Sequence, residues 1–557
     1  MKLRNYVYVL LFVVGLFSAS VVSAQGKGKS NNGTEIIKTS PKLVVGIVVD
    51  QMRYDYLTRF YDQFGEDGFK RMVEQGFNCK NNHFNYAPTS TGPGHTSVYT
   101  GATPSVHGII GNNWYDKELG ADVYCASDDS FTSVGTTSDA GQMSPHRMNV
   151  TTVTDELRLH TQMRGKTIAI ALKDRGAVLP GGHTANAAYW FHGADEGKWI
   201  TSSYYMDQLP KWVTDFNSSG KVQSYKKAWN TLKNIAEYKE SGTDENAYEG
   251  LFDGETTSTF PHSTTNLLDK TKDYDIIKST PYGNSLTADF ALTALEAEDL
   301  GKDENTDFLA ISFSSTDYVG HMFGVNSKEV EDTYVRLDED LARLFKALDK
   351  QVGEGEYTVF LTADHGASEV SAYLKDQKIP AGYIDNATFK SKLSEFLKFT
   401  YGTEDIIRDY SNYQLFLDHK IIKNLDMELE DVEEEIAREF LGYDFVDRVY
   451  TGYQMWNNEY TVGIPHILQN GYNQKRSGDV LIVAKPGFIN YSITGSTHGS
   501  PQIYDTHAPL LFYGKGIKKG ATVSRTEIPD IAPTISALLG ISFPSGTSGR
   551  PITAVLE

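Results

Sequence analysis

Leu43-Val44-Val45-Gly46-Ile47-Val48-Val49-Asp50 decides the fold class. An apolar run that is mostly β-branched is the pattern of a strand buried on both faces of a parallel sheet, and this one ends in a carboxylate. Similar runs follow at Thr167-Ile168-Ala169-Ile170-Ala171, Phe308 to Phe313, Tyr357 to Thr362, Val480 to Ala484 and Leu510 to Tyr513. Helical periods lie between them. The clearest spans about Ser327 to Lys350, where Val330, Tyr334, Leu337, Leu341, Leu344 and Leu348 recur at three- and four-residue steps. Strands alternating with helices predict an α/β fold: a mostly parallel sheet covered by helices on both faces. Two stretches break the rhythm, at about 184–282 and 373–473. They read as insertions forming a cap over the carboxyl ends of the strands, where ligands of open α/β sheets bind. The acidic run Met427 to Glu439 inside the second reads as the solvated face of a helix rather than a calcium site.

The chain has 557 residues, of which 40% are apolar and 22% charged, an ordinary globular composition with room for a large core. Its net charge of −20, with no basic face, argues against a nucleic acid duplex as partner. An anionic substrate remains open, because metals and a few local cations can reverse the sign within one cleft. Met1-Lys2-Leu3-Arg4-Asn5, the apolar run Tyr6 to Phe17 and Val22-Ser23-Ala24 read as a signal peptide, residues 1–24, cleaved after Ala24. Residues 25–41 read as a flexible leader and 42–557 as the folded domain with its cap insertions. This implies a periplasmic or secreted protein with no membrane span after cleavage. Two cysteines, Cys79 and Cys125, are compatible with one disulfide in an oxidising compartment or with two separate thiols. Neither has metal-site spacing, and neither lies in the Cys-x-Pro-x-Arg setting from which sulfatases make formylglycine.

Metal-type side chains gather at the predicted strand ends. Asp50 closes the first strand, and Asp364-His365 follows Tyr357 to Thr362. Asp317 and His321 follow the strand ending at Phe313, four apart and so on one face of a helical turn. His498 sits in the small-residue loop Gly495-Ser496-Thr497-His498-Gly499-Ser500. Oxygen and imidazole ligands together suit zinc. Each residue alone has a plainer reading, an Asp as a helix cap or a His as a surface group, but six such residues at strand ends are poorly explained that way. The stretch Tyr86-Ala87-Pro88-Thr89-Ser90-Thr91-Gly92-Pro93-Gly94-His95-Thr96 supplies a hydroxyl. Its glycines let a backbone approach a ligand closely, and proline suits a first helical turn. His95 to Tyr99 is expected to form a short helix, with Thr91 at its anion-favouring N-terminus.

The order Asp50, Thr91-x-Pro-x-His95, Asn112, Asp317-x-x-x-His321, Asp364-His365, His498 resembles the alkaline phosphatase superfamily. Thr-Gly-Pro-Gly-His is similar to the nucleophile motif of its nucleotide pyrophosphatase/phosphodiesterase branch, and His107 to Asn112 to the segment carrying that branch's phosphate-binding Asn. Leu172-Lys173-Asp174-Arg175-Gly176 resembles the bacterial exported monoesterases of the PafA type. The resemblance implies an alkaline-phosphatase-like sheet and two Zn²⁺ ions. Asp317, His321 and His498 would hold one; Asp50, Asp364 and His365 would hold the other, with Thr91 as its fourth ligand. It implies a phosphothreonine formed at Thr91 and then hydrolysed by water. His95 belongs to the motif but not to the ligand set, and reads as an orienting residue. Lys173, Arg175 and Asn112 would receive the oxygens of a phosphate monoester, with Lys173 replacing the cation that a third, magnesium, site supplies in the enterobacterial type. The substrate-side expectation is a monomer acting on small-molecule phosphate monoesters. A diesterase is the runner-up, since diesterases share Thr and Asn. A non-catalytic exported binding protein is the alternative from another class. The mutase branch uses Ser and manganese in the cytosol, which the signal peptide argues against.

Overall fold

A computed structural model describes residues 40–557, so the signal peptide and most of the leader read from the sequence lie outside the described residues. Five of the six expected strands lie in a ten-stranded mixed sheet. Its centre is five parallel strands: β1 (Leu43–Val49), β2 (Thr167–Ala171), β3 (Ala187–His192), β4 (Asp307–Phe313) and β5 (Tyr357–Thr362), in the order β5-β1-β4-β2-β3. Every residue of β1, β2, β4 and β5 is buried, which is why their sequences carry no polar alternation. Beyond β5 the sheet continues antiparallel through β6 (Leu510–Gly514), and beyond β3 through Lys198–Ser202. β3 and Lys198–Ser202 fall within the interval read as the first insertion. Their sequences, AAYWFH and KWITS, are too polar and aromatic to read as buried parallel strands.

Four helices matter for the site. α1 is Thr91–Thr100, α2 Asp174–Gly181, α3 Ser315–Phe323 and α4 Lys328–Gln351. α4 matches its expected period, and the Ser327 hydroxyl caps it by accepting the Val330 N–H at 3.1 Å. α1 departs from expectation: it begins at Thr91, four residues before His95, and holds both glycines inside it. The reason is packing. A Cβ on Gly94 would lie 2.2 Å from the carbonyl of Asp364, so only glycine lets this helix press against the end of β5.

Val480–Ala484 was expected in the main sheet. It lies instead in a separate four-stranded sheet, ordered Ile407–Ser411, Gln414–Leu417, Val480–Ala484, Val446–Thr451, and pairs antiparallel with both neighbours. A fully apolar strand can be central in either sheet, so the sequence alone did not separate them. This sheet and the helices Asn386–Tyr401 and Leu429–Phe440 share a core of their own, built around Phe389, Leu393, Ile436 and Ile482. Most of the acidic run lies on the outer face of Leu429–Phe440, whose Val432, Ile436 and Phe440 face inward, but Glu433 is buried with them and accepts the Tyr453 N–H at 3.0 Å.

Candidate active site

The register of the parallel strands builds the site. Val49 of β1 is level with Phe313 of β4, Val48 with Thr362 of β5, and Ser312 of β4 with Ala171 of β2. Four neighbouring strands therefore end at one edge. Asp50, Asp317 and His321, Asp364 and His365, and Lys173 are the residues that follow them. Asp317, His321 and His498 place ligand atoms within 4.8 Å of one another, and Asp50, Asp317 and His365 do the same.

Three imidazoles are oriented alike. His321 donates Nδ1–H to the carbonyl of Ser496 at 2.7 Å, His498 to Thr89 at 2.7 Å, and His365 to Gly366 at 3.0 Å. That leaves each Nε2 with its lone pair turned inward, the form that ligates a metal. Burial, reinforced by the neighbouring rings of His365 and His321, holds His498 well below its ordinary pKa; burial also lowers His365. Both are neutral donors. The His365 and His498 rings stack with centroids 3.4 Å apart.

The carboxylates are crowded around one cation. Lys173 Nζ donates to Asp50 Oδ2 and Asp317 Oδ2, both at 2.6 Å. Burial and the charges of Asp317 and Asp364 raise the Asp50 carboxyl, against the pull of Lys173. Burial works against the Asp317 carboxylate too, but His321 and Lys173 outweigh it and hold that group well below the usual range. Asp50, Asp317 and Asp364 against Lys173 leave two negative charges uncompensated in a buried cleft. Three buried atoms there have no hydrogen-bond partner: Asp50 Oδ1, Asp364 Oδ2 and His365 Nε2. Two oxygens and an imidazole nitrogen left unpaired, with surplus negative charge, are the donor set of a divalent cation such as zinc. The residues present thus fit the implied metal.

Thr91 is the first residue of α1, buried, between two tethers to this cluster. Two residues before it the carbonyl of Thr89 holds His498; four residues after it His95 Nδ1 lies 2.9 Å from the Thr91 carbonyl and 3.3 Å from Asp364 Oδ2, while its Nε2 faces Ser312 Oγ at 2.9 Å. Asn112 Oδ1 accepts the Gly92 N–H at 2.7 Å, which directs its amide N–H₂ end away from that backbone.

Lys173 and Arg175 were expected to point to one side from extended backbone. Lys173 is extended (φ −89°, ψ 131°) at the cap of α2, but the helix starts at Asp174, so Arg175 leaves at a different angle. Its Nη1 donates to Tyr124 Oη at 3.1 Å and its Nε has no partner. The disulfide is absent: Cys79 and Cys125 are both free and buried. Cys125 Sγ lies against Gly92, and Cys79 sits on Phe77–Cys79 at the far side of β6.

Sequence reasoning missed Gln51. Its backbone N–H donates to Asp364 Oδ1 at 3.1 Å and its Nε2 to Asp317 Oδ1 at 2.7 Å, joining the two ligand groups. Its φ of +63° and the space left by Gly320, whose Cβ would lie 2.0 Å from Gln51 Oε1, make this possible. Adjacency to Asp50 was the available signal. Asn412 gave none. It stands at the tip of the hairpin between Ile407–Ser411 and Gln414–Leu417, and its Nδ2 donates to the Asn113 carbonyl at 2.7 Å, next to Asn112.

Known proteins share this arrangement of chain. Residues 44–508 match the family model for type I phosphodiesterase / nucleotide pyrophosphatase. An alkaline phosphatase PafA of Elizabethkingia meningoseptica is 47% identical over 93% of this chain and 94% of its own. An alkaline phosphatase PhoV of Synechococcus elongatus is 46% identical over 93% of each. The crystal structure of wild-type PafA superposes with a TM-score of 0.90 at 46% identity, over 93% of this chain and 99% of that one.

Proposed function

The chain belongs to the type I phosphodiesterase / nucleotide pyrophosphatase family, and we propose that within it the chain is an exported, two-zinc alkaline phosphatase hydrolysing phosphate monoesters through a phosphothreonine at Thr91. The observation that carries this reading is the unpaired set Asp50 Oδ1, Asp364 Oδ2 and His365 Nε2, beside the inward-facing Nε2 atoms of His321 and His498. Zinc held by Asp317, His321 and His498, and by Asp50, Asp364, His365 and Thr91, would supply Lewis-acid charge to the entering and leaving oxygens.

The chain's own residues do the rest. Thr91 Oγ1 attacks phosphorus in line; the P–O bond to the leaving group breaks, and the alcohol departs carrying a proton. Water then cleaves the phosphothreonine, restoring the hydroxyl and releasing inorganic phosphate. An ammonium has three N–H donors, and Lys173 uses two on Asp50 and Asp317, so the third is available to a phosphate oxygen. Arg175 Nε, unpartnered, and the Asn112 amide are two further donors for the extra charged oxygen that separates a monoester from a diester. His95 and Gln51 orient Asp364 and Asp317. We assign residues 1–24 to a cleaved signal peptide and the interval 373–473 to a cap at the mouth of the cleft; the interval 184–282 begins with strands of the main sheet and so is not a cap throughout.

A diesterase would use the same Thr91 and Asn112, and the family model's description includes that activity. The Lys173 ammonium, buried between two carboxylates, favours the monoesterase. Zinc content and a panel of monoesters and diesters on purified protein test the reading. One metal per chain, full activity after exhaustive chelation, or a preference for diesters would refute it.

A further inference from the structure

Behind the cleft lies a second group of buried oxygens without partners. Residues 238–262 wrap the corner between α3 and α4, where the Gly242 N–H donates to Asn326 O at 2.7 Å and the Gly250 N–H to Met322 O at 2.8 Å. Glu249 on this segment is 4% exposed, and neither of its carboxylate oxygens has a hydrogen-bond partner. Glu329, in the first turn of α4, is fully buried; its Oε1 faces His262 Nε2 at 3.1 Å and its Oε2 has no partner.

The nearby cations leave these three oxygens unpaired. His262 spends Nε2 on Glu329 and Nδ1 on Glu255, 3.2 Å away. Lys328 Nζ donates to Tyr238 O at 2.7 Å. The Ser258 hydroxyl is 3.3 Å from Asn246 O and 3.4 Å from Asp244 O, long for an O–H donor, and it also bears on Glu249. Three carboxylate oxygens are therefore without partners, two of Glu249 and one of Glu329, beside a Ser258 hydroxyl that reaches both carbonyls and accepts only a long Asn246 N–H at 3.4 Å. Burial and the Glu329 charge push the Glu249 carboxyl up to about 9, against the weaker pull of Ser258 and Lys328.

We propose that this cluster is a third, structural cation site that takes a hard divalent ion of the calcium class through Glu249, Glu329, Ser258 and the carbonyls of Asp244 and Asn246. All its donors are oxygens and two are backbone carbonyls, an irregular set that suits calcium's six to eight flexible ligands better than magnesium's strict octahedron. Zinc is disfavoured because the one imidazole present has both nitrogens engaged. The ion would pin residues 244–258 to α4 and so support α3, which carries Asp317 and His321. Its affinity should fall on the order of 10⁻⁴–10⁻³ M, the range of extracellular calcium modules. The competing arrangement is a proton shared between Glu249 and Glu329, with no ion.

The test uses the full-length protein in a zinc-buffered solution freed of other divalent ions. CaCl₂ is titrated while bound calcium and Tm are followed, and TbCl₃ is titrated as a luminescent probe. The Trp229 ring lies 5.2 Å from the His262 ring, so terbium at this cluster would be excited through Trp229. Expected are one calcium per chain in addition to zinc, a Tm raised by several degrees at millimolar calcium, and terbium emission that calcium displaces and Trp229→Phe dims. Glu249→Gln keeps the shape and should weaken calcium binding by more than about tenfold, since ligand charge sets the affinity. The wild-type readouts stand even if that variant misfolds. A wild type that retains no calcium at millimolar concentration overturns the proposal. So does a folded Glu249→Gln protein that binds calcium as the wild type does, or one equally stabilised with and without calcium, which is the result of the shared proton.

Discussion

Removing Arg175 and removing Lys173 should both impair a monoesterase, but in distinguishable ways. Arg175 touches no ligand residue; its described contacts are the Tyr124 hydroxyl and the Asp174 carboxylate oxygen that its own backbone N–H reaches. Its loss removes phosphate donors alone, and one well-placed donor typically accounts for about 10²–10³ in rate, or about 3–4 kcal/mol. Lys173 sits 2.6 Å from both Asp50 and Asp317, with a side chain 3% exposed. Its loss costs a donor and also leaves those carboxylates facing each other. Breaking a buried ion pair from one side costs about 3–5 kcal/mol, which in the metal-free protein should appear as lost stability. Arg175→Ala should therefore lower kcat/KM for an aryl phosphate monoester by about 10²–10³ with zinc content unchanged, and lower it far less for a diester with the same leaving group. Lys173→Ala should show the same selectivity and, in addition, a lower metal-free Tm and an altered zinc affinity. Parallel kinetics on both substrates with zinc in excess, elemental analysis and thermal denaturation check all of this. Equal falls for monoester and diester would refute the assignment of these cations to the extra phosphate oxygen.

Thr91→Ala should lose most turnover while keeping fold and metals, and acid-quenched wild type should carry phosphate on Thr91; inversion of configuration at phosphorus would mean direct attack by water instead. Exhaustive chelation should abolish activity and lower Tm, because Asp50 Oδ1, Asp364 Oδ2 and His365 Nε2 are then buried without partners; a Tm unchanged by chelation would count against the ligand set. Burial acts to lower the pKa of His262, but its bonds to Glu255 and Glu329 outweigh that and raise it to about 9. The stabilisation, about 3 kcal/mol, is then fully present below pH 6.5 and lost as pH rises through about 9, so urea midpoints should fall over that window and fall less in His262→Gln. Asn412→Gly tolerates the local φ of +52° but removes the bond to Asn113 O; kcat/KM should drop, non-additively with Asn112→Ala, and additive losses would show that the hairpin does not support Asn112.

Four of the five central strands and the Asp and His residues after them were legible because a buried parallel strand has no alternation to blur it, and because a carboxylate directly after such a run has few other reasons to be there. β1, β2, β4 and β5 came through with nearly their observed limits. What stayed hidden depends on partners distant in sequence. Val480–Ala484 carries the same apolar signature as β1, and only its antiparallel neighbours, Gln414–Leu417 and Val446–Thr451, assign it to the second sheet. Gln51 gains its role from a left-handed turn and from Asp317, 266 positions away.

The glycines show where this limit lies. Gly92 and Gly94 beside Thr91 read as room for a ligand, and the stretch does hold the candidate nucleophile. Yet a Cβ at Gly94 would meet the Asp364 carbonyl at 2.2 Å, and one at Gly92 would meet Asn112 Oδ1 at 3.2 Å. Gly320, between Asp317 and His321, makes room for Gln51 in the same way. A missing side chain marks a close approach and says nothing about what approaches. In this cleft the approaching groups are other parts of the same chain, because four strand ends must bring their loops within hydrogen-bonding distance to converge on one charge centre. Gly94→Ala should therefore displace α1 from the end of β5 and separate Thr91 from Asp364. The expected result is a loss of turnover together with weakened metal binding, read by zinc titration of the folded variant. Intact zinc affinity with lost turnover would instead mean that the space at Gly94 serves the substrate.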